Sequence, residues 1–414
     1  MNILFVHQSF PGQYVHLAPA LAQRGHKVTA LCIQKKGDPP GVQIIEYGLT
    51  RGNTPNIHPW VAEIETKVLR GEAAGRAALL LKNQGYVPDL ICAHPGWGES
   101  LFLKDIWPQT KLLCFFEFYY HFVGADVNFD PEFATPGAEA AAKIRLKNTN
   151  NLLALDAADW GVSPTAWQHV QFPSWARDKI SIIHDGIDTD IVAPDPAARI
   201  QLAEAGVELV PGDEVVTFVN RDLEPYRGYH RFMRALPRIL QTRPKARVVI
   251  VGGDGISYGA APPNGKTWKQ VFLDEVGAQL DLSHVHFVGR IPYPAYLKLL
   301  QVSAAHVYLT FPFVLSWSLL EALSAGCAVI GSRTAPVEEA IRHGDNGLLV
   351  DFFDASELAE TVIEVLAEPE KYRAMRARAR ADVIEKYDLK TVCLPRHIAL
   401  AEALAQGQPA PGAV

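Results

Sequence analysis

Short apolar runs alternate with helix-patterned segments along almost the whole chain, and the alternation runs twice. In the first series, residues 2–7, 26–33, 89–93, 111–116, 160–163 and 180–184 read as strands, with helical spacing at 14–24 and a long helix at 138–158. In the second, strands at 215–219, 247–251, 284–288, 305–309, 328–331 and 348–350 alternate with helices, one starting near His230. Strands separated by helices pair in parallel, because a parallel neighbour needs a crossover long enough to hold a helix. The pattern predicts an α/β chain of two Rossmann-like, doubly wound domains. The Asp-, Pro- and Gly-rich stretch 188–212 supplies the break. It places a first domain at 1–190, a second at 195–385 and a terminal amphipathic helix at 387–405. The Gly-, Pro- and Ala-rich tail 406–414 is expected to be disordered.

A chain of 414 residues exceeds what one hydrophobic core holds, in keeping with two domains. A net charge of −6 argues against nucleic acid as the main partner. The five cysteines, Cys32, Cys92, Cys114, Cys327 and Cys393, are odd in number and scattered, four of them inside apolar runs. That usage suits buried, reduced thiols and a cytoplasmic setting. No cationic-then-apolar leader opens the chain, and no apolar run approaches the ~20 residues of a spanning helix, so membrane contact is expected to be at most peripheral. Neither metal nor cofactor is expected: no His/Cys cluster has zinc spacing, and Asp188 and Asp190 read as a cap or turn. Residues 260–267 approach a phosphate-binding loop, but Ala260, Pro262 and Pro263 spoil it. Residues 253–258 approach a dinucleotide fingerprint and fail at Tyr258.

In the second half, the segment 218–230 leaves a strand and enters a helix, with Arg221 and Arg227 at the strand's carboxyl end. Two cations there suit a leaving group whose negative charge grows as its bond breaks, although solvated surface arginines read the same way. Ser316, Trp317 and Ser318 lead into a helix carrying Glu321, so backbone amides and one acid meet at a helix start. Ser318 followed by Glu321 also reads as a capping box. Arg290 and Ile291 follow another strand end.

In the first half, Gly12 and Gln13 link the first strand to its helix, and a glycine there permits close approach to a ligand. His94, Trp97 and Glu99 leave a strand in one loop, and Glu117 and Tyr119 sit in an aromatic run. Such loops form a crevice for a sugar or similar molecule, though each lone His or Glu is equally read as a satisfied structural residue.

These motifs resemble retaining, family-4-type glycosyltransferases of the GT-B fold. Residues 287–350 are similar to their nucleotide-sugar-binding half. The 218–230 segment looks like their Arg-x-x-x-x-Lys-Gly turn, one residue longer and with Arg227 for the lysine. Gly-Trp-Gly-Glu (96–99), Phe-Glu-Phe-Tyr-Tyr (116–120) and Asn-Phe-Asp-Pro-Glu-Phe (128–133) are similar to a bacterial subgroup of the family, which extends the likeness over residues 2–400. The resemblance implies two domains facing across a cleft, with the last helix crossing back to the first. It implies an acceptor in the first domain and a UDP- or GDP-sugar co-substrate in the second. Ser316, Trp317 and Ser318 would meet the phosphates, Glu321 the ribose hydroxyls, and the backbone at Arg290 and Ile291 the base. Arg221 and Arg227 would neutralise the leaving diphosphate. His94 and Glu117 would touch the acceptor or handle its proton, with Gly12, Gln13, Trp97, Glu99 and Tyr119 around it.

The family pattern carries two glutamates eight residues apart. Glu321 matches the second, and Phe313 occupies the place of the first. The resemblance implies metal-independent transfer, with retention, to a sugar, lipid-linked or small-molecule acceptor, in polysaccharide or glycoconjugate synthesis. A GT-B-fold epimerase and a degenerate nucleotide-sugar-binding scaffold subunit are the alternatives.

Overall fold

The computed structural model describes residues 1–202, 206–262 and 265–411. Residues 203–205 of the expected interdomain break, Pro263 of the phosphate-loop near-match and the last three residues of the tail lie outside them. The described chain divides into two compact units, Met1–Gly186 with Leu389–Val414, and Ile187–Asp388.

The first unit holds a seven-stranded sheet, parallel throughout. From edge to edge it runs Val42–Glu46, Lys27–Cys32, Asn2–Val6, Leu90–Ala93, Lys111–Phe115, Trp160–Ser163 and Ile180–Ile182. Successive side chains of a strand leave on opposite faces, so Ile3 and Phe5 enter one core layer and Leu4 and Val6 the other. The second unit holds a six-stranded parallel sheet: Val285–Gly289, Arg247–Gly253, Val215–Asp222, Ala305–Tyr308, Ala328–Ser332 and Leu348–Val350. Each sheet reverses its winding beside its first strand, between Asn2–Val6 and Leu90–Ala93 and between Val215–Asp222 and Ala305–Tyr308. Loops leaving the carboxyl ends of such a strand pair splay apart and leave a crevice. The two-domain, Rossmann-like α/β architecture is therefore present.

Four elements differ from expectation. The helix expected over 138–158 is broken at Asn148 into Ala138–Lys147 and Thr149–Ala157. Asn148 accepts from the Tyr120 N–H (3.0 Å) and donates to the Tyr120 carbonyl (2.8 Å), which pins the break to a neighbouring loop. The 22-residue helix Ala62–Asn83 and the edge strand Val42–Glu46 were not legible in the pattern. The helix expected at 14–24 begins only at Leu17, after a single turn at Gly12–Tyr14. Asp188 accepts from the Asp190 and Ile191 amides, so the spaced acid pair is a turn. All five cysteines are free and buried. No helix among the described residues is long and apolar enough to cross a membrane.

The last helix, Leu394–Ala405, packs Leu400, Ala401 and Leu404 into the first unit's core with Ile3 and Phe5. Its Glu402 carboxylate accepts from Arg24 Nε (2.7 Å) and Nη2 (2.9 Å) and pairs with His26 Nε2 (2.9 Å). Arg24 first, then His26, hold that carboxyl down to about 2. A depressed acid stabilises the fold above its unfolded value near 4.5 and loses that contribution as pH falls towards 2. Arg24 is half-exposed, so solvent screens much of that contribution. The Glu402→Gln variant is expected to melt lower than the parent at pH 7 and to converge with it near pH 2–3. Parallel melting curves at both pH values, with an equal gap throughout, would refute this.

Candidate functional site

The strand Val215–Asp222 shifts register against its neighbour after Val219, and the chain then makes a single turn at Pro225–Arg227. Gly228 closes that turn with φ +71 and opens the helix Tyr229–Thr242. A β-carbon on Gly228 would sit 2.3 Å from Leu309 Cβ, so the turn lies directly on the neighbouring strand's exit. The result is a cleft of about 630 Å³ at the carboxyl edge of the sheet. It collects Arg221, Arg227, Arg290, Ile291, Ser316, Trp317, Ser318 and Glu321 on one wall system, all eight of the second-half residues singled out in the sequence.

Their environments differ. Arg227 is buried, and its Nη1 donates to Thr310 Oγ1 (2.7 Å) and to the Val314 carbonyl (3.1 Å). Its guanidinium lies 5.1 Å from the Tyr258 ring centroid and 5.6 Å from that of Phe313. Arg221 is exposed at the cleft and makes no side-chain hydrogen bond or ion pair among the described residues. Phe313, in the place of the family's first glutamate, is buried in an aromatic group with Tyr226 and Tyr258. Glu321 is buried, with one oxygen accepting from the Tyr293 hydroxyl (2.7 Å) and the other from that of Tyr296 (2.8 Å). Burial raises its carboxyl above the ordinary range and the two tyrosines oppose that shift. Each oxygen keeps a second lone pair, so a vicinal diol can still be received.

Ser316, rather than Ser318, caps the helix Trp317–Ser324, its Oγ accepting from the Ser318 N–H. The capping box expected from Ser318 and Glu321 is absent because the helix begins earlier, with Leu319 rather than Glu321 three residues after the cap, and the Glu321 carboxylate accepts from the tyrosines instead. The Ser316 amide donates to the Tyr308 hydroxyl (2.9 Å) and the Ser318 amide to Ser316 Oγ (3.4 Å), so both have internal partners. The Arg290 guanidinium is also engaged: it pairs with buried Asp222 at 2.6 Å and bonds the Arg221 carbonyl at 3.3 Å.

Two acids of the cleft were overlooked, although both stand in the motif itself. Asp222 accepts from Ser257 Oγ and the Gly255 N–H. Burial works against its charge, but Ser257 and Arg290 outweigh it and hold the carboxyl low. Glu224 is wholly buried and accepts from the Tyr258 and Gly259 amides (3.2 and 2.9 Å); burial raises its carboxyl. Tyr293 and Tyr296, one helical turn apart after Pro292, were the other missed signal.

In the first unit, His94, Trp97 and Glu117 line a cavity of about 350 Å³ beside the sheet's switch point. Trp97 stacks on His94 with ring centroids 4.3 Å apart. His94 Nδ1 accepts from the Gly96 N–H (3.1 Å), which leaves the proton of the neutral ring on Nε2. That Nε2 is buried without a hydrogen-bond partner and stands 3.7 Å from Glu117 Oε2. Gln13 bridges His7 Nε2 (2.9 Å) and Glu117 Oε1 (3.2 Å). Burial opposes the Glu117 charge, but His94 and then His7 and Gln13 hold its carboxyl below the usual range. Burial takes His7 down to about 4.

Three first-half expectations need correction. Glu99 is wholly buried, lifted to about 7, and does not line the cavity. Gly98 before it lies against the Lys67 carbonyl, where a β-carbon would come within 2.3 Å, and that packing turns the chain inward. Tyr119 packs on Phe172 (5.8 Å), and its neighbour Tyr120 faces the cavity. Gly12 (φ +51) makes its close approach to the His7 ring, 2.4 Å from a built β-carbon, and opens a single 3-10 turn, the α-helix beginning only at Leu17.

A family model described as "Glycosyl transferase family 4 group" matches residues 24–192, and one described as "Glycosyl transferases group 1" matches residues 203–382. The chain belongs to the family-4-type glycosyltransferases. Among relatives, it is similar to a GDP-mannose-dependent alpha-(1-6)-phosphatidylinositol monomannoside mannosyltransferase of Mycolicibacterium smegmatis, 29% identical over 228 residues. That match covers 53% of this chain and 54% of the mannosyltransferase, about half the length of each. A glycogen synthase of Mycobacterium tuberculosis is 25% identical over 445 residues, covering 99% and 97% of the two chains. Among solved structures, Anabaena Alr3699/HepE in complex with UDP and glucose superposes with a TM-score of 0.67 at 18% identity, over 98% of this chain and 100% of that one. At that identity the likeness concerns the GT-B fold. The boundary between the two family models falls beside the hairpin Ile200–Leu202/Val207–Leu209.

Proposed function

We propose that this family-4-type glycosyltransferase moves a sugar from a nucleoside-diphosphate sugar to an acceptor hydroxyl, with retention of configuration and without a metal ion, in the cytoplasmic synthesis of a polysaccharide or glycoconjugate. The observation that carries the reading is the second unit's cleft, which unites two arginines, a capped helix start and a buried glutamate. Diphosphate at the arginines would place its ribose towards Glu321 and its base towards Arg290 and Ile291. As the glycosidic bond breaks, charge accumulates on the diphosphate oxygens, and Arg221 and Arg227 stabilise that state more than the ground state. The two cations, together with the prior engagement of Asp222 and Glu224, support transfer without metal. The first unit's cavity would take the acceptor. With its Nδ1 accepting from the Gly96 amide, His94 offers an N–H donor at Nε2, so Glu117 is the better proton-accepting group of the pair. The named relatives act with GDP-mannose or were solved with UDP, so both bases belong in the test.

The test is donor turnover by purified protein across UDP- and GDP-sugars, with and without chelator, beside nucleotide titration. Glu321→Gln keeps size but weakens acceptance from hydroxyls; a hydrogen bond to a charged group contributes roughly 1.5–3 kcal/mol, so nucleotide affinity should fall about 10- to 100-fold. Unchanged affinity in a folded variant would remove the ribose assignment. Tight nucleotide binding with no turnover would leave the degenerate binding subunit, for which Phe313 in an acid's place is the supporting observation.

A further inference from the structure

The first unit's cavity carries more positive charge than a neutral sugar needs. One face of the helix Ala62–Asn83 lines it with Glu63, Thr66, Lys67 and Arg70, at spacings of three and four residues. Lys147, the last residue of Ala138–Lys147, closes the opposite side with Asn150. Lys67 is buried, and its ammonium is aimed by the Lys147 carbonyl (3.0 Å), Asn150 Oδ1 (2.9 Å) and Glu63 (3.1 Å).

The acids of the cavity are spoken for. Glu63 is matched by Lys67, and Glu117 accepts from Gln13 while its other oxygen stands 3.7 Å from His94 Nε2, beyond hydrogen-bond reach. Arg70 has no hydrogen bond or ion pair among the described residues. Lys147 Nζ rests 3.9 Å over the Tyr120 ring without a carboxylate. An independent mark of an absent ligand is His94, only 2% exposed, whose Nε2–H has no hydrogen-bond partner. A buried donor without an acceptor is costly unless a ligand oxygen supplies one.

We infer that this cavity binds an anionic acceptor, a small sugar or polyol carrying a phosphate or carboxylate group held by Arg70 and Lys147, beside the engaged Lys67 ammonium. The charge would seat at the Ala62–Asn83 helix while a hydroxyl of the same molecule faces His94 and Glu117. The inference rests on the reading of the first unit as the acceptor side.

The full chain is titrated calorimetrically with glucose 6-phosphate, inositol 1-phosphate and glucuronic acid, each beside its neutral counterpart, and with inorganic phosphate. At least one anionic member should bind at least tenfold tighter than its neutral partner, with affinity falling as salt rises. Arg70→Gln and Lys147→Gln, both at partly exposed positions, should each weaken that binding about tenfold. Lys67 is left intact because its removal would disturb the helix packing. Titration of UDP and GDP into the same samples reads the second unit by itself. Unchanged nucleotide binding alongside lost anion binding supports the inference, and nucleotide failure with retained anion binding sinks only the donor reading. Equal affinity for charged and neutral compounds, or variants that bind like the parent, overturns the anionic acceptor. Inorganic phosphate binding as tightly as the best sugar or polyol anion overturns it too, in favour of a free-anion site.

Discussion

Arg227→Ala is expected to lower kcat by about 10²–10³ while leaving the donor KM nearly unchanged, the range seen when one preorganised charge partner of a transition state is removed. Arg227 is held before substrate arrives: Thr310 and the Val314 carbonyl fix one guanidinium nitrogen, and Tyr258 and Phe313 flank its plane. A group so fixed needs little reorganisation as charge grows on the leaving diphosphate. Arg227→Lys keeps a point charge, and the family's own turn carries lysine there, so part of the rate should survive. The lysine cannot reproduce the planar fork that meets Thr310 and Val314 together. Steady-state kinetics on both variants, with near-parental circular dichroism as the folding control, decide the matter. A raised KM at constant kcat would make Arg227 an anchor for the ground state, and no change in either would remove it from the mechanism.

Gly228→Ala is expected to destabilise the second unit by upwards of ~3 kcal/mol. A left-handed φ costs an L-residue roughly 1–2 kcal/mol before any packing is counted. Here the added methyl would also lie 2.3 Å from Leu309 Cβ and 2.9 Å from Leu309 Cδ1, where the strand Ala305–Tyr308 leaves the core. Neither backbone can retreat without loosening the pairing of Val215–Asp222 with Ala305–Tyr308. For a domain of this size a loss of that magnitude lowers the melting temperature by about 6–12 °C. Calorimetry should show the transition of the second unit displaced and nucleotide affinity lost with it. A melting temperature within a degree of the parent would show that the turn can relax.

The division of labour between sequence and structure is clearest residue by residue. The apolar strands were legible because parallel strands buried on both faces read as continuous hydrophobic runs. The Arg221–Gly228 turn and the Ser316–Glu321 helix start were legible because their chemistry is local, a few residues that must be cationic, flexible or capping. The helix Ala62–Asn83 was not. It buries Lys67, Gly71 and Gly75 alongside its apolar positions, so no clean apolar stripe marks it. Its cationic face went unread for the same reason. Asn148 broke a helix through two bonds to Tyr120, 28 residues away, and no window of local propensity contains that partner.

The sequence by itself determined two doubly wound parallel sheets, the strand ends that carry the chemistry, and the pairing of arginines with a helix start. These follow from periodicity and from backbone rules that act within a few residues. Tertiary structure alone decided which acids are free. Glu321 turned out to be shared with Tyr293 and Tyr296, and Asp222 was claimed by Arg290, while Glu99 lies buried away from the cavity it was expected to line. It also decided that Lys67, Arg70 and Lys147 converge on His94. Protonation, pairing and orientation depend on neighbours brought close by the fold from tens of residues away, and that proximity is not written in any local stretch of the chain.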